Sequence, residues 1–175
     1  YTYTFIMTSA LDLDEKSLAQ HLISIGEPAY RARQIHTHLF RRAVLDYDSM
    51  TDLPAKVREH LSLELPATPL TVQQRLPTPD GETVKMLLRA HDAELIEAVS
   101  IRDGARHTVC VSSQVGCAMA CAFCASGLDG VSRNLTSGEI VAQVLYAAVY
   151  ATVTNIVFMG MGEPLSNFPR LVDAI

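Results

Sequence analysis

Residues 107–165 read HTVCVSSQVGCAMACAFCASGLDGVSRNLTSGEIVAQVLYAAVYATVTNIVFMGMGEPL, and their order of patterns decides the fold. HTVCVSS alternates like a strand. GCAMACAFCASG follows as a loop that places Cys117, Cys121 and Cys124 close together. Thr136 and Glu139 have capping-box spacing before the helical run EIVAQVLYAAVYA. TNIVFMG then reads as a strand buried on both faces, as parallel strands usually are. Strand, loop, helix and strand make a βαβ unit with the cysteine loop at the carboxyl end of its first strand. Loops at that end carry the active sites of βα architectures.

Upstream of this unit the period is first helical and then extended. Residues 12–65 predict three short helices. Asp12 and Glu15 have capping-box spacing, Leu18, Leu22 and Ile25 form one stripe, and Gly26 ends the first helix. The second, YRARQIHTHLFRR, buries Ala32, Ile35, Leu39 and Phe40 and turns Arg31, Arg33, Arg41, Arg42 and His38 outward. The third begins near Asp52 and Pro54 and uses Val57 and Leu61. Residues 66–80, rich in proline and threonine, predict a linker and turn. TVKMLLRA, ELIEAVSI and HTVCVSS predict strands with turns at His91-Asp92 and Asp103-Gly104. The expected organisation is a helical accessory domain (8–65), a linker and β extension (66–106), and an α/β core that begins at 107 and runs to 175.

Composition bounds the function. The chain has 175 residues, 49% of them apolar, and a formal charge of −5. That balance excludes a wholly basic protein that coats nucleic acid but not local cationic patches. No apolar run is long enough for a membrane span, and YTYTFIMTSA lacks the cationic and apolar regions of a signal peptide. A cytoplasmic location without membrane contact is expected, where four cysteines serve as ligands or catalysts rather than as structural disulfides. Met7 reads as a natural start. The amphipathic run at NFPRLVDAI, with Leu171, Val172 and Ile175 at helical spacing, reads as a helix cut short at Ile175.

CxxxCxxC is compatible with zinc, an iron–sulfur cluster or reactive thiols. Structural zinc takes four ligands, and Cys110, the fourth cysteine, sits inside a predicted strand. Three thiolates suit a [4Fe–4S] cluster with one iron left open to another ligand, and the spacing favours it over zinc. GMGEPL at Gly160–Leu165 adds two glycines that let backbone approach a ligand, and a carboxylate, Glu163, that suits an amino group. By itself this motif is an ordinary βα turn; beside the cysteines it reads as a site for an amino-acid-like ligand.

VCVSSQVGCAMACAFCASG, RNLTSGEI and TNIVFMGMGEPL together resemble the radical S-adenosylmethionine RNA adenine C2-methyltransferases, the family of RlmN with Cfr as its sister group. The resemblance is dense over Cys110–Leu165 and looser upstream. It implies a small helical accessory domain followed by the first part of a partial (β/α) barrel. It implies that Cys117, Cys121 and Cys124 hold a [4Fe–4S] cluster and that Gly162 and Glu163 bind S-adenosyl-L-methionine. It also implies that Cys110 forms a transient disulfide and that Glu97 accepts a proton. The implied substrates are 23S rRNA and tRNA, the implied electron donor is of the flavodoxin kind, and a monomer is expected.

Adenine C2 lies between two ring nitrogens and is too electron-poor for ordinary methyl displacement, so the family uses a radical route through a second, methyl-carrying cysteine. That cysteine belongs to the family's carboxyl-terminal half, which leaves the sequence here without it. The stretch between Tyr146 and Asn155 is shorter than is common in the family. From residues alone Glu97 is ambiguous: alternation places it with Leu95, Val99 and Ile101, where burial of a carboxylate is costly, yet an edge-strand Glu in water is common. Other radical enzymes, such as glycyl-radical activators, have no use for Cys110 or the helical unit. A zinc-bearing RNA-binding module using Arg31, Arg33, Arg41 and Arg42 is the non-catalytic alternative.

Overall fold

The computed structural model describes residues 8–175; the reading of Met7 as a natural start lies outside them. Helix α1 (Glu15–Ser24) starts at Asp14, whose carboxylate accepts the Ser17 N–H at 2.7 Å. Asp12 is therefore not its cap. Its Oδ2 turns back to Ser9, accepting from the Ser9 N–H at 3.0 Å and the hydroxyl at 2.7 Å. Leu18 and Leu22 are buried as the stripe requires, and Gly26 stops the helix at a φ of 83°.

Helix α2 (Tyr30–His36) runs on into a wider π turn, Thr37–Arg41. Ala32, Ile35 and Leu39 face the core as expected. The two neighbours of Leu39 exchange roles: His38 is buried rather than outward, and Phe40 is exposed. A π turn adds a residue to the helical repeat, so the apolar stripe read at ordinary spacing slips at its end. Helix α3 (Ala55–Glu64) follows Pro54 and buries Val57 and Leu61.

The proline-rich stretch expected as a linker holds strand β1 (Leu70–Pro77). It pairs antiparallel with β2 (Thr83–Ala90), β2 with β3 (Leu95–Asp103), and β3 with β4 (Arg106–Cys110). HTVCVSS is thus strand only to Cys110. A short second sheet, β5 (Gln114–Gly116) with β6 (Val131–Asn134), precedes helix α4 (Ser137–Ala148). Strand β7 (Asn155–Val157) returns parallel to β4, in register Thr108↔Asn155 to Cys110↔Val157. The βαβ unit is therefore as the sequence predicts.

Its last strand differs from expectation. β7 is short and lies at the edge of the five-stranded sheet β1-β2-β3-β4-β7, with Ile156 46% exposed, so it is not buried on both faces. Helix α5 (Phe168–Ala174) closes the described chain, with Val172 and Ile175 exposed rather than packed as a stripe.

One face of the sheet carries Met86, Leu88, Ile96, Ala98 and Val109, and these join α4 and the helical unit in a continuous core. The opposite face is half-open. Thr136 caps α4 by accepting the Glu139 N–H at 3.1 Å, while Glu139 Oε2 accepts the Thr136 N–H at 2.9 Å. A cap of this kind contributes about 1 kcal/mol. Asp12 Oδ1 accepts the Gly138 N–H at 2.9 Å, which ties the amino-terminal unit to the start of the same helix. The molecule is a mixed α/β fold with a helical amino-terminal part and a partial sheet, as the sequence predicts.

Candidate active site

Strands β5 and β6 pair as Gln114↔Asn134, Val115↔Arg133 and Gly116↔Val131, so the cysteines occupy the loop of a hairpin. Gly116 sits at a φ of 74°, and a Cβ there would meet the Gly130 carbonyl oxygen at 2.1 Å. Only glycine allows that closure. The Cys117 N–H donates to Gly130 O at 2.9 Å and the Cys124 N–H to Cys121 O at 3.0 Å. Cys121 and Cys124 are exposed and Cys117 half-buried; all four cysteines are free thiols. Phe123 and Leu128, both exposed, line a hollow together with Cys121 and Cys124.

GMGEPL runs beside the chain leaving β4. The Gly160 N–H donates to Val111 O at 3.0 Å, and the Ser113 N–H to Met161 O at 2.8 Å. Gln114, almost wholly buried, joins the two motifs: its Oε1 accepts the Glu163 N–H at 2.9 Å and its Nε2 donates to Asn134 Oδ1 at 2.7 Å. Gly162 has a φ of 95°, and a Cβ there would lie 2.5 Å from the Gln114 Cβ. This glycine is therefore required by the approach of the turn to its own neighbouring chain, a packing reason besides the ligand approach expected from sequence. Glu163 Oε1 accepts the Leu165 N–H at 3.1 Å, which fixes the carboxylate at the start of the following turn.

Arg133, opposite Val115 in the hairpin, anchors its base. Its Nε donates to Asp92 at 2.6 Å, and its two terminal nitrogens donate to Glu139 at 2.7 and 2.8 Å. Glu139 is fully buried, and the Arg133 and Asp92 side chains are nearly so. Burial opposes the charge on Asp92, but the Arg133 hydrogen bond and charge outweigh it and hold the carboxyl below its usual range. Burial likewise opposes the Arg133 charge and is outweighed by the two carboxylates, so its affinity for the proton rises. A buried guanidinium satisfied on both sides is a rigid fixture.

Glu97 and Cys110 lie on the half-open face. Val99 pairs with both Lys85 and Cys110, so Lys85, Val99 and Cys110 form one row, and Glu97 is two residues along β3 on the same side. The alternation read from sequence thus holds, and the carboxylate escapes the burial cost: Lys85 Nζ donates to Glu97 Oε1 at 2.8 Å, with both side chains 44% exposed. The Glu97 carbonyl accepts the Ser112 hydroxyl at 2.6 Å, and Ser112 Oγ in turn accepts the Met161 N–H at 2.9 Å. Glu97 is thereby connected to the turn of Glu163. Burial raises the Cys110 thiol above the ordinary cysteine range, opposed by a backbone hydrogen bond at Met159.

Residues 8–65 match the model of the ribosomal RNA large subunit methyltransferase N-terminal domain, RlmN_N. A probable dual-specificity RNA methyltransferase RlmN of Salinispora tropica is 47% identical over 174 residues, covering 94% of this chain and 47% of that protein. The chain matches the RlmN family over about half of those proteins' length. An RlmN of Saccharopolyspora erythraea, also described as a probable dual-specificity RNA methyltransferase, is 46% identical over 175 residues, with the same coverage of each chain. The crystal structure of a radical SAM methyltransferase from Sphaerobacter thermophilus superposes with a TM-score of 0.91 at 46% identity, covering 95% of this chain and 50% of that one. The chain spans about half the length of the RlmN relatives it matches.

The donor set on the hairpin fits an iron–sulfur cluster. Three free thiols on a single hairpin loop match a three-thiolate cluster in number and softness. Zinc fits less well: it takes four ligands, and Cys110, the one further thiol, lies in the β4 ladder between Val99 and Val157 rather than on the hairpin. Among the described residues no three His, Cys, Asp or Glu side chains already converge as a metal cage. Also among them, no helix is long and apolar enough to cross a membrane.

Sequence reasoning missed Gln114, Ser112, Asn167 and Arg133. Asn167, buried, donates to Ser113 O at 2.8 Å and Leu135 O at 2.9 Å and so pins the start of α5 to the site. The run Ser112-Ser113-Gln114 directly after an apolar strand was the available signal, since buried polar side chains need partners.

Proposed function

We propose that these residues form the cluster-binding and RNA-docking half of a radical S-adenosylmethionine RNA methyltransferase that acts on C2 of adenine in 23S rRNA and tRNA. The observation that carries this reading is the joining of the three-cysteine hairpin to the GMGEP turn through buried Gln114. The word dual-specificity in the descriptions of the relatives supports two classes of RNA.

In this reading Cys117, Cys121 and Cys124 hold a [4Fe–4S] cluster by their thiolates. When bound, the cluster supplies the electron that opens S-adenosylmethionine to radical chemistry at a carbon ionic displacement does not reach. Gly162 and Glu163 bind the amino group of S-adenosylmethionine, with Glu163 oriented by the Leu165 N–H. Glu97 accepts the proton lost from C2, on an open face where Lys85 balances its charge. Cys110 stays protonated at neutral pH until a base takes its proton. Its thiolate then forms an S–S bond with the methyl-carrying cysteine as the S–C bond to the adenine substituent breaks; the carbon keeps the electron pair, takes up a proton to become the methyl group, and the RNA leaves.

The methyl-carrying cysteine is none of the four here, all of which have other roles in this scheme. A flavodoxin-type electron donor, a monomeric state and a cytoplasmic location complete the reading.

The test is nucleoside mass spectrometry of 23S rRNA and tRNA treated with a chain of the relatives' length that begins with this sequence. It should yield 2-methyladenosine, and Cys110→Ala should trap a protein–RNA adduct. Methylation at C8, or none with a loaded cluster, would overturn the assignment.

A further inference from the structure

The outward stripe of α2 and the loop before α3 enclose a second hollow, remote in sequence from the cysteine hairpin. Tyr30, Arg33, Gln34, Thr37, His38, Arg42 and Asp52 line it. The first five recur at helical spacing and so share a face through the π turn, a feature frequent at functional sites.

His38 Nε2 is bonded to Asp52 Oδ1 at 2.6 Å, with the ring only 8% exposed. Its Nδ1 and the Gln34 Oε1 are buried and have no hydrogen-bond partner among the described residues. Buried polar atoms are normally paired, so the wall of the hollow keeps hydrogen-bonding capacity that the described residues do not use. At the rim, Arg33 and Arg42 are exposed, and Tyr30 is 60% exposed with the Arg31 guanidinium 5.4 Å from its ring centre. Glu27 pairs with Arg31 at 2.7 Å, and Arg33 with Arg42 outnumber the single Asp52 carboxylate, which leaves the rim cationic on a chain whose formal charge is −5.

We propose that this hollow is a subsite for one unpaired RNA nucleotide, with the phosphates at Arg33 and Arg42 and the base against Tyr30, over the wall made by Gln34, Thr37 and His38. Two guanidiniums suit phosphate oxygens. An exposed aromatic ring gives a stacking surface for a splayed base, which is how single-stranded RNA is gripped. A paired duplex cannot offer its bases in this way, so the subsite selects looped over paired RNA. The inference rests on the RNA-substrate reading above and extends it to the accessory unit.

Fluorescence anisotropy of the reconstituted protein with a labelled RNA stem–loop, and with the fully paired duplex of the same stem, tests it. Arg33→Ala with Arg42→Ala should weaken binding to both RNAs and lower the salt slope by roughly 1.4, about 0.7 for each phosphate that is no longer neutralised. Tyr30→Ala should cost roughly tenfold on the stem–loop and little on the duplex, and Tyr30→Phe should restore the preference. These side chains are exposed, so the variants keep their fold, which circular dichroism verifies. Wild-type binding with unchanged affinities in the variants overturns the subsite and leaves the RNA reading intact. Failure of the wild type to bind either RNA overturns both.

Discussion

Cys110 occupies a different environment from the other three thiols. It sits in a strand ladder between Val99 and Val157, half-buried, and burial raises its thiol above the ordinary range. The thiolate is the nucleophile, so a raised value means a smaller reactive fraction at neutral pH. In the metal-free protein, iodoacetamide should label Cys121 and Cys124 first, and Cys110 should react appreciably only at alkaline pH; peptide mass spectrometry reads the order. Equal labelling of Cys110 at pH 7 would contradict the burial argument. At this scale the three hairpin cysteines and the glutamate of GMGEP are visible in sequence, because their chemistry is carried by residue type and spacing. Gln114 is not, because its role depends on where the chain returns from α4 to place Glu163.

The cysteine hairpin is held as an element by the Arg133 pairs to Asp92 and Glu139. Removing one partner of a buried pair leaves the other uncompensated, and Arg133→Ala should cost about 3 kcal/mol in a denaturant titration. The pH dependence has a definite sign. Asp92 is lowered in the folded state, so its contribution is fully present above the unfolded carboxylate value of about 3.9 and is lost as pH falls through the folded one. Asp92→Asn should therefore cost about 2 kcal/mol at pH 7, with the difference from wild type shrinking below about pH 4. A constant difference across that range would remove the ion pair as its cause. Elements were legible where periodicity was long, as in α1, α3, α4 and the β2 to β4 run. β1 was hidden by Pro66, Pro69, Pro77 and Pro79, and it is pairing with β2 that makes it a strand. The π turn, which buries His38 and exposes Phe40, has no signature in apolar spacing.

In the whole molecule the helical unit and the α/β part meet at the start of α4, where Asp12 accepts the Gly138 N–H and also binds Ser9. A carboxylate at a helix start satisfies an otherwise orphaned donor and complements the helix dipole. Asp12→Ala should cost about 1 kcal/mol and speed hydrogen exchange at the Gly138 amide, while the Glu139 amide, held by Thr136, keeps its protection. No change at Gly138 would show that this hydrogen bond does not join the two parts. The sequence reading of Asp12 as the cap of α1 had the right chemistry and the wrong helix, since the true recipient lies 126 residues away.

The central claim is that Cys117, Cys121 and Cys124, without Cys110, form a three-ligand cluster site. Anaerobic reconstitution with iron and sulfide tests it directly, by metal analysis and by EPR of the reduced protein with and without S-adenosylmethionine. Wild type and Cys110→Ala should each bind about four iron and four sulfide and give a signal altered by S-adenosylmethionine, and alanine at any of the other three should abolish it. One tightly bound zinc that depends on Cys110, or a cluster that survives loss of the hairpin cysteines, would contradict it.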